Sequence, residues 1–116
     1  MDLLKELNSI GCDTDSGLKR FSSNADLYCK MLAKYPQTVD QNEVLPLLKE
    51  EEYDMAKANA HNLKGVTGNL SLTPLFEGYV KIVSSIRSGD YKVALDTMIE
   101  IKGVQDRIIE IIEKFS

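Results

Sequence analysis

The sequence predicts an all-α protein, an antiparallel up-down-up-down four-helix bundle with a short N-terminal helical extension. Apolar residues recur at helical spacing through most of the 116 residues. Glycine, proline and capping residues separate these periodic segments. The β-branched run "RIIEIIEKF" fits the 3.6-residue period better than strand alternation and continues a helical pattern. Four substantial helices joined by short turns favour such a bundle, and the length suits a single domain over residues 1–116.

The N-terminal extension is predicted to contain short helices. A first helix in "LLKELNSIG" should stop at Gly11. Asp13 or Asp15 should cap a second helix, and Ser23 or Asn24 a third, because side chains of these types accept hydrogen bonds from free backbone N–H groups.

Two prolines complicate the next part of the chain. Pro36 should kink or interrupt the third segment, because proline lacks the N–H group that a helix interior needs. Pro46 lies inside the following helical pattern and beyond the first turn if Asp40 or Asn42 is the cap. We therefore expect one long bent helix or two abutting helices here.

The remaining chain predicts three long helices. The first should run from about Tyr53 to Leu70. Thr73 should cap the second, with Pro74 at its first position. The third should run from Tyr91 to Phe115.

Composition excludes several classes of function. The net charge is -4 and no Lys/Arg cluster stands out, so a nucleic-acid partner is not expected. No apolar run approaches the ~20 residues that cross a bilayer, and the N-terminal stretch is too acidic for a secretory signal, so no membrane partner and a cytoplasmic location are expected. Cys12, Cys29 and one histidine form no zinc set, so neither a metal nor a cofactor is expected.

The stretch "AHNLKGVTGNL", residues 60–70, combines the only histidine, His61, with two glycines, Gly65 and Gly68. Each glycine in a helix interior costs ~1 kcal/mol relative to alanine. On a helical wheel, His61, both glycines, Lys57 and Lys64 share the face that points to water. The opposite, core-facing stripe is predicted to contain Met55, Ala56, Asn59, Leu63, Val66, Thr67 and Leu70. Costly residues at an exposed place suggest a functional site.

Nucleophilic catalysis fits this face best, because histidine can hold a covalent group and acid–base or triad chemistry would need an orienting partner. An exposed imidazole can accept a phosphoryl group from a protein that supplies the active site. Lys64, one turn from His61, would stabilise the negative oxygens. The two glycines would let the second protein come close.

The same stretch resembles the signature of histidine-containing phosphotransfer (HPt) domains, H-x-L-K-G followed by a small residue and often N-[LI]-G. The matching residues are His61, Leu63, Lys64, Gly65, Gly68, Asn69 and Leu70. The stretch "GCDTDSGLKRFSSNADLYCKML" is similar to the family's N-terminal segment, so the resemblance covers most of the chain.

The resemblance implies a four-helix bundle that is not itself an enzyme and exchanges phosphoryl groups with response-regulator receiver domains or a sensor or hybrid histidine kinase. It implies that His61 is the phosphoacceptor and that Lys64 stabilises the phosphate. Any Mg²⁺ would belong to the receiver partner. The docking face for the partner is expected to contain Lys57, Gly65, Gly68 and Asn69. A monomer is expected.

Three alternatives remain open at this point. A helical adaptor without chemistry would need an exposed apolar patch, and none is obvious in the sequence. A degenerate HPt-like regulator could still dock on receivers, although the presence of His61 and Lys64 argues against it. An enzyme that uses the histidine would need further site residues that the sequence does not place.

Overall fold

The computed structural model describes residues 2–115, and within this range the chain contains helices and turns but no strands. The all-α class is therefore confirmed. The helices are α1 (Leu3–Ser9), α2 (Thr14–Arg20), α3 (Ala25–Leu32), α4 (Tyr35–Asp40), α5 (Leu45–Lys49), α6 (Tyr53–Asn69), α7 (Thr73–Arg87) and α8 (Tyr91–Lys114). None of the helices in the described range is long and apolar enough to cross a membrane.

The three C-terminal helices form the main packing unit. The connections after α6 and α7 are three residues long, so each helix turns back on the one before it, and α7 packs along both α6 and α8. Gly78 in α7 allows a close approach to α8, because a Cβ atom there would lie 2.6 Å from Cγ2 of Ile101. The first and third long helices begin and end within one residue of the positions that the sequence predicts, and the second begins at Thr73, one residue before the predicted first position.

The prolines explain why the chain between α3 and α6 is broken into short helices. Pro36 lies in the first turn of α4 and Pro46 in the first turn of α5, where the missing N–H group has no helical acceptor to lose. The expected cap at Asp40 or Asn42 is wrong, since the backbone turns again and α5 starts only after Val44. Neither one bent helix nor two abutting helices form: the segments are separated by turns.

Among the other predicted caps, two are confirmed and one is wrong. Asp13 accepts a hydrogen bond from the Ser16 backbone N at 3.1 Å, and Asn24 caps α3. Thr73 does not cap α7, because it already belongs to the helix. Its hydroxyl instead accepts a hydrogen bond from the Asp13 backbone N at 3.0 Å. This contact joins the start of α2 to the start of α7.

The N-terminal helices also hold the C-terminal end of α6. The Tyr28 hydroxyl donates to the Leu70 carbonyl at 2.6 Å, and Nη1 of Arg20 donates to the Gly68 carbonyl at 2.8 Å. The tyrosine hydroxyl satisfies the carbonyl of the C-cap residue Leu70, and Arg20 gives a second donor to the Gly68 carbonyl, which also accepts from the Ser71 backbone N at 3.2 Å. Gly17 leaves room for the Tyr28 ring, since a Cβ atom at position 17 would overlap Oη and Cζ of the tyrosine.

A buried polar cluster lies in the core between α4, α7 and α8. Oε1 of Gln105 accepts hydrogen bonds from the hydroxyls of Tyr35, at 2.9 Å, and Tyr79, at 2.6 Å. Burial raises the pKa of both tyrosines, so both hydroxyls stay protonated and can donate. One oxygen atom of Gln105 therefore satisfies the hydroxyl donors of two buried tyrosines.

Candidate functional site

Helix α6 presents the predicted motif, but its buried face is rotated relative to the expectation. The buried residues are Ala56, Ala60, Leu63 and Thr67. Met55, predicted to lie in the core, is 58% exposed. The centre of the buried face lies about 50° from the predicted one, because Ala60 packs inside and Met55 does not. The correction leaves His61 on the solvent side.

The imidazole of His61 is exposed, and no hydrogen bond or ion pair engages it within residues 2–115. One turn further along α6, Gly65 is exposed as well. Lys57 and Lys64 are each half-buried, so part of each lysine stem packs on the surface. The arrangement gives a free ring nitrogen access to solvent with two cationic side chains on the same helix.

A shallow groove with a volume of about 540 Å³ begins one turn after His61 and follows the C-terminal half of α6. Its lining residues are Asp13, Ser16, Arg20, Lys64, Gly65, Thr67, Gly68, Asn69, Ser71, Thr73 and Phe76. Four predicted site residues, Lys64, Gly65, Gly68 and Asn69, are thus brought together. His61 and Lys57 do not line this groove.

The other wall of the groove comes from residues that the sequence argument did not assign to the site. Arg20 on α2 and Phe76 on α7 are the largest of these side chains. Arg20 stands within the "GLKRF" stretch that contributes to the family resemblance, and this was the available signal. No sequence signal pointed to Phe76, which is 38% exposed although it follows the helical apolar pattern of α7.

The two motif glycines differ in their surroundings. A Cβ atom built on Gly65 would meet no atom within 4 Å, whereas one on Gly68 would lie 2.9 Å from Cδ1 of Phe76. Packing against Phe76 therefore accounts for Gly68, which the sequence argument assigned only to the approach of a second protein. Gly65 remains without an explanation inside this chain.

The charged groups of the groove have defined partners. Hydrogen bonds from the Ser16 backbone N and hydroxyl lower the pKa of Asp13, so its carboxylate stays ionised as the α2 cap. Arg20 already donates to the Gly68 carbonyl and to the Ser71 hydroxyl. Lys64 has no hydrogen bond or ion pair within the described range. Its ammonium is consequently available to an anionic group brought by another molecule.

The opposite flank of α6 is fastened to the turn between α4 and α5. Nδ2 of Asn59 donates to the Glu43 carbonyl at 2.8 Å, and Nδ2 of Asn62 donates to Oδ1 of Asn42 at 3.1 Å. Asn59 precedes His61 by two residues and Asn62 follows it directly, so these bonds hold α6 just before and just after the histidine. The imidazole therefore projects from a backbone that neighbouring segments keep in place.

This geometry suits a reaction in which another protein supplies most of the active site. The face offers an unbonded imidazole, a free ammonium one turn away and an open glycine, and these elements permit close approach and charge stabilisation. Comparison of the chain with family models, with curated proteins and with solved structures finds no match.

Proposed function

We propose that this chain is a phosphorelay intermediate of the HPt type, which accepts a phosphoryl group on His61 and exchanges it with receiver-domain aspartates. The observation that supports this most directly is the exposed, unbonded His61 beside Lys64 and Gly65 on a helix fastened at both flanks. The proposal includes the finer topology, an up-down-up-down four-helix bundle, and a cytoplasmic location. The partners are receiver domains and a sensor or hybrid histidine kinase.

The transfer step needs only one nucleophile from this chain. The electron pair of Nε2 of His61, the ring nitrogen furthest from the backbone, forms the N–P bond. The P–O bond to the donor's aspartyl carboxylate breaks, and the carboxylate leaves with the electron pair of this P–O bond. The proton on the other ring nitrogen passes to solvent. The partner supplies its own Mg²⁺, while Lys64 neutralises charge on the transferring oxygens.

The surroundings of His61 fit a protein donor better than a small one. Gly65 opens space on the same stripe as His61, and the groove beyond it is lined by residues of three helices, α2, α6 and α7. Lys57, Lys64 and Asn69 would contact that protein around the histidine. A small phosphoryl donor would gain nothing from this extended surface.

Label transfer tests the proposal. The chain is incubated with a panel of phosphorylated receiver domains, and wild type is compared with His61→Gln. We expect labelling of wild type that is acid-labile and alkali-stable, as for an N–P bond, and none of the variant. The melting temperature of the variant should stay close to that of wild type, because His61 is exposed and unbonded. Labelling of His61→Gln would refute the assignment.

A matched pair of glycine variants tests the docking argument separately. Gly65 and Gly103 both lie in helix interiors, and a Cβ atom on either would meet nothing within 4 Å. Only Gly65 lies on the stripe of His61. Gly65→Gln should strongly slow transfer, whereas Gly103→Gln on α8 should leave the transfer rate unchanged. Both variants should keep the wild-type fold. Equal rates for the two variants would remove the docking argument.

The runner-up function is a helical module that docks on a receiver domain without phosphotransfer. The groove beside α6, with the partly exposed Phe76 at its edge, supports this alternative equally well. Binding of a receiver together with the absence of label on wild type would favour it. Label on His61 would decide for the relay.

A further inference from the structure

A second cavity, separate from the His61 face, opens beside the turn between α4 and α5. Its volume is about 350 Å³, within the range of small-molecule sites in proteins. The cavity reaches the core, since Leu63, Tyr79 and Met98 line it and are almost completely buried. None of its lining residues belongs to the groove beside α6.

The floor of this cavity contains one unused hydrogen-bond donor. Gln105 is 5% exposed, and its Oε1 is occupied by the hydroxyls of Tyr35 and Tyr79. Its Nε2 has no hydrogen-bond partner within residues 2–115. No completely buried side-chain nitrogen in that range lacks a partner. The amide nitrogen therefore keeps some solvent exposure, and Gln105 is one of the residues that line the cavity.

The rest of the lining limits what can occupy the cavity. The walls are mainly apolar, formed by Val39, Val44, Leu45, Leu63, Met98 and Ile109. At the rim, Asp40, Glu43 and Asp106 outnumber Lys102, which is itself paired with Asp106 at 2.8 Å. This negative rim disfavours anions, and the N–H donor of Gln105 disfavours cations.

We propose that this cavity binds a small neutral carbonyl compound, with its oxygen accepting a hydrogen bond from Nε2 of Gln105 and its apolar body against the aliphatic walls. The carbonyl satisfies a donor that the protein leaves unpaired, and the apolar body loses contact with water. Water alone suits the site less well, because an ordered water needs two to four polar partners and the walls offer few.

The test uses cyclohexanone as probe and methylenecyclohexane as its counterpart without the oxygen. Methyl groups of labelled methionines report binding by NMR: Met98 lines the cavity, whereas Met55 is exposed on α6 and outside it. We expect cyclohexanone to shift the Met98 methyl signal saturably and to leave that of Met55 unchanged. Methylenecyclohexane should bind at least about tenfold more weakly, because it has no oxygen to accept a hydrogen bond from the amide nitrogen of Gln105.

Two variants test the hydrogen-bond donor and the space of the cavity separately. Gln105→Glu keeps an oxygen for the tyrosines and removes the N–H donor, so the affinity for cyclohexanone should fall about tenfold. Leu45→Trp narrows the entrance, should abolish the Met98 shift and leaves Gln105 in place. If Gln105→Glu fails to fold, the comparison of the two probes on wild type still decides. Equal affinity for both probes, or no Met98 shift at saturation, would overturn the proposal.

Discussion

Replacement of Gly17 by alanine should destabilise this protein, although the same change elsewhere in its helices should stabilise it. In α2, a Cβ atom at position 17 would overlap Oη and Cζ of Tyr28 and lie 2.9 Å from its Cε2. Tyr28 is completely buried and stacks on Phe21 with ring centroids 5.3 Å apart, so the ring has little room to move. The added methyl group must displace the tyrosine or the helix.

The size of the effect follows from three contributions. Overpacking costs about 2 kcal/mol. Loss of the Tyr28 hydrogen bond to the buried Leu70 carbonyl costs about 2 kcal/mol more. The higher helix propensity of alanine returns about 1 kcal/mol. The free energy of unfolding should fall by about 3 kcal/mol, which lowers the melting temperature by roughly 10 °C in a domain of this size.

Thermal and urea unfolding followed by circular dichroism measure this change. Gly65→Ala is the matched control, because its Cβ atom meets nothing within 4 Å, and it should raise the melting temperature by a few degrees. Tyr28→Phe alone should cost about 1–2 kcal/mol, since it leaves the Leu70 carbonyl unpaired. In the double variant, the hydroxyl that collides with the new methyl group is gone. The double variant should therefore lose less unfolding free energy than the sum of the losses in the two single variants. Additive effects, or a Gly17→Ala protein as stable as wild type, would refute this explanation.

Three further predictions concern other parts of the chain. Lys64→Ala should slow phosphoryl transfer about 10-fold, on the order of 1.4 kcal/mol, with little change in melting temperature, and wild-type kinetics would make Lys64 an ordinary surface lysine. Gly68→Ala should stabilise less than Gly65→Ala, because its methyl group must push Phe76 aside, and a comparison of melting curves checks this. Burial raises the pKa of Cys12 to about 11, so at pH 8 iodoacetamide should modify the more accessible Cys29 first, and mass spectrometry of the alkylated peptides identifies the order. The unfolded chain loses the Cys12 thiol proton near pH 9, whereas the folded protein keeps it to about pH 11, so the free energy of unfolding should fall as the pH rises from about 9 to about 11.

The long helices were predictable because their start and stop residues are strong local signals and their apolar period is regular. Pro46 misled the prediction, since a proline inside an apolar pattern can either bend a helix or begin a new one, and tertiary contacts choose. Met55 was predicted to lie in the core and is exposed, whereas Ala60, which the prediction left out of the core, is completely buried. A helical wheel considers only the direction of each side chain, whereas a close helix contact prefers the smaller residue. Pattern reasoning works best where one local feature decides the outcome.

In the candidate site too, features that depend on one helix were predictable, and features that depend on several segments were not. The exposure of His61 and the open space at Gly65 follow from the period of α6 and were predictable. The contact between Gly68 and Phe76 joins two helices, and the unpaired amide of Gln105 depends on where two tyrosine hydroxyls point. Such features depend on the positions of several segments at once, and a single sequence does not encode them locally.

The hydrogen bonds from Arg20 and Tyr28 to the C-terminal end of α6 have a kinetic consequence. Tyr28 and Leu70 are separated by 42 positions, and Arg20 and Gly68 by 48, whereas α6, α7 and α8 contact neighbours in sequence. Closing long loops is slow relative to forming helical hairpins, so these tethers are expected to form after the hairpins and to open before them. During such openings His61 would stay accessible while one wall of the adjoining groove is lost. The lifetime of the groove, as hydrogen exchange in α2 and α3 would report it, is then set by a segment that does not contain the histidine.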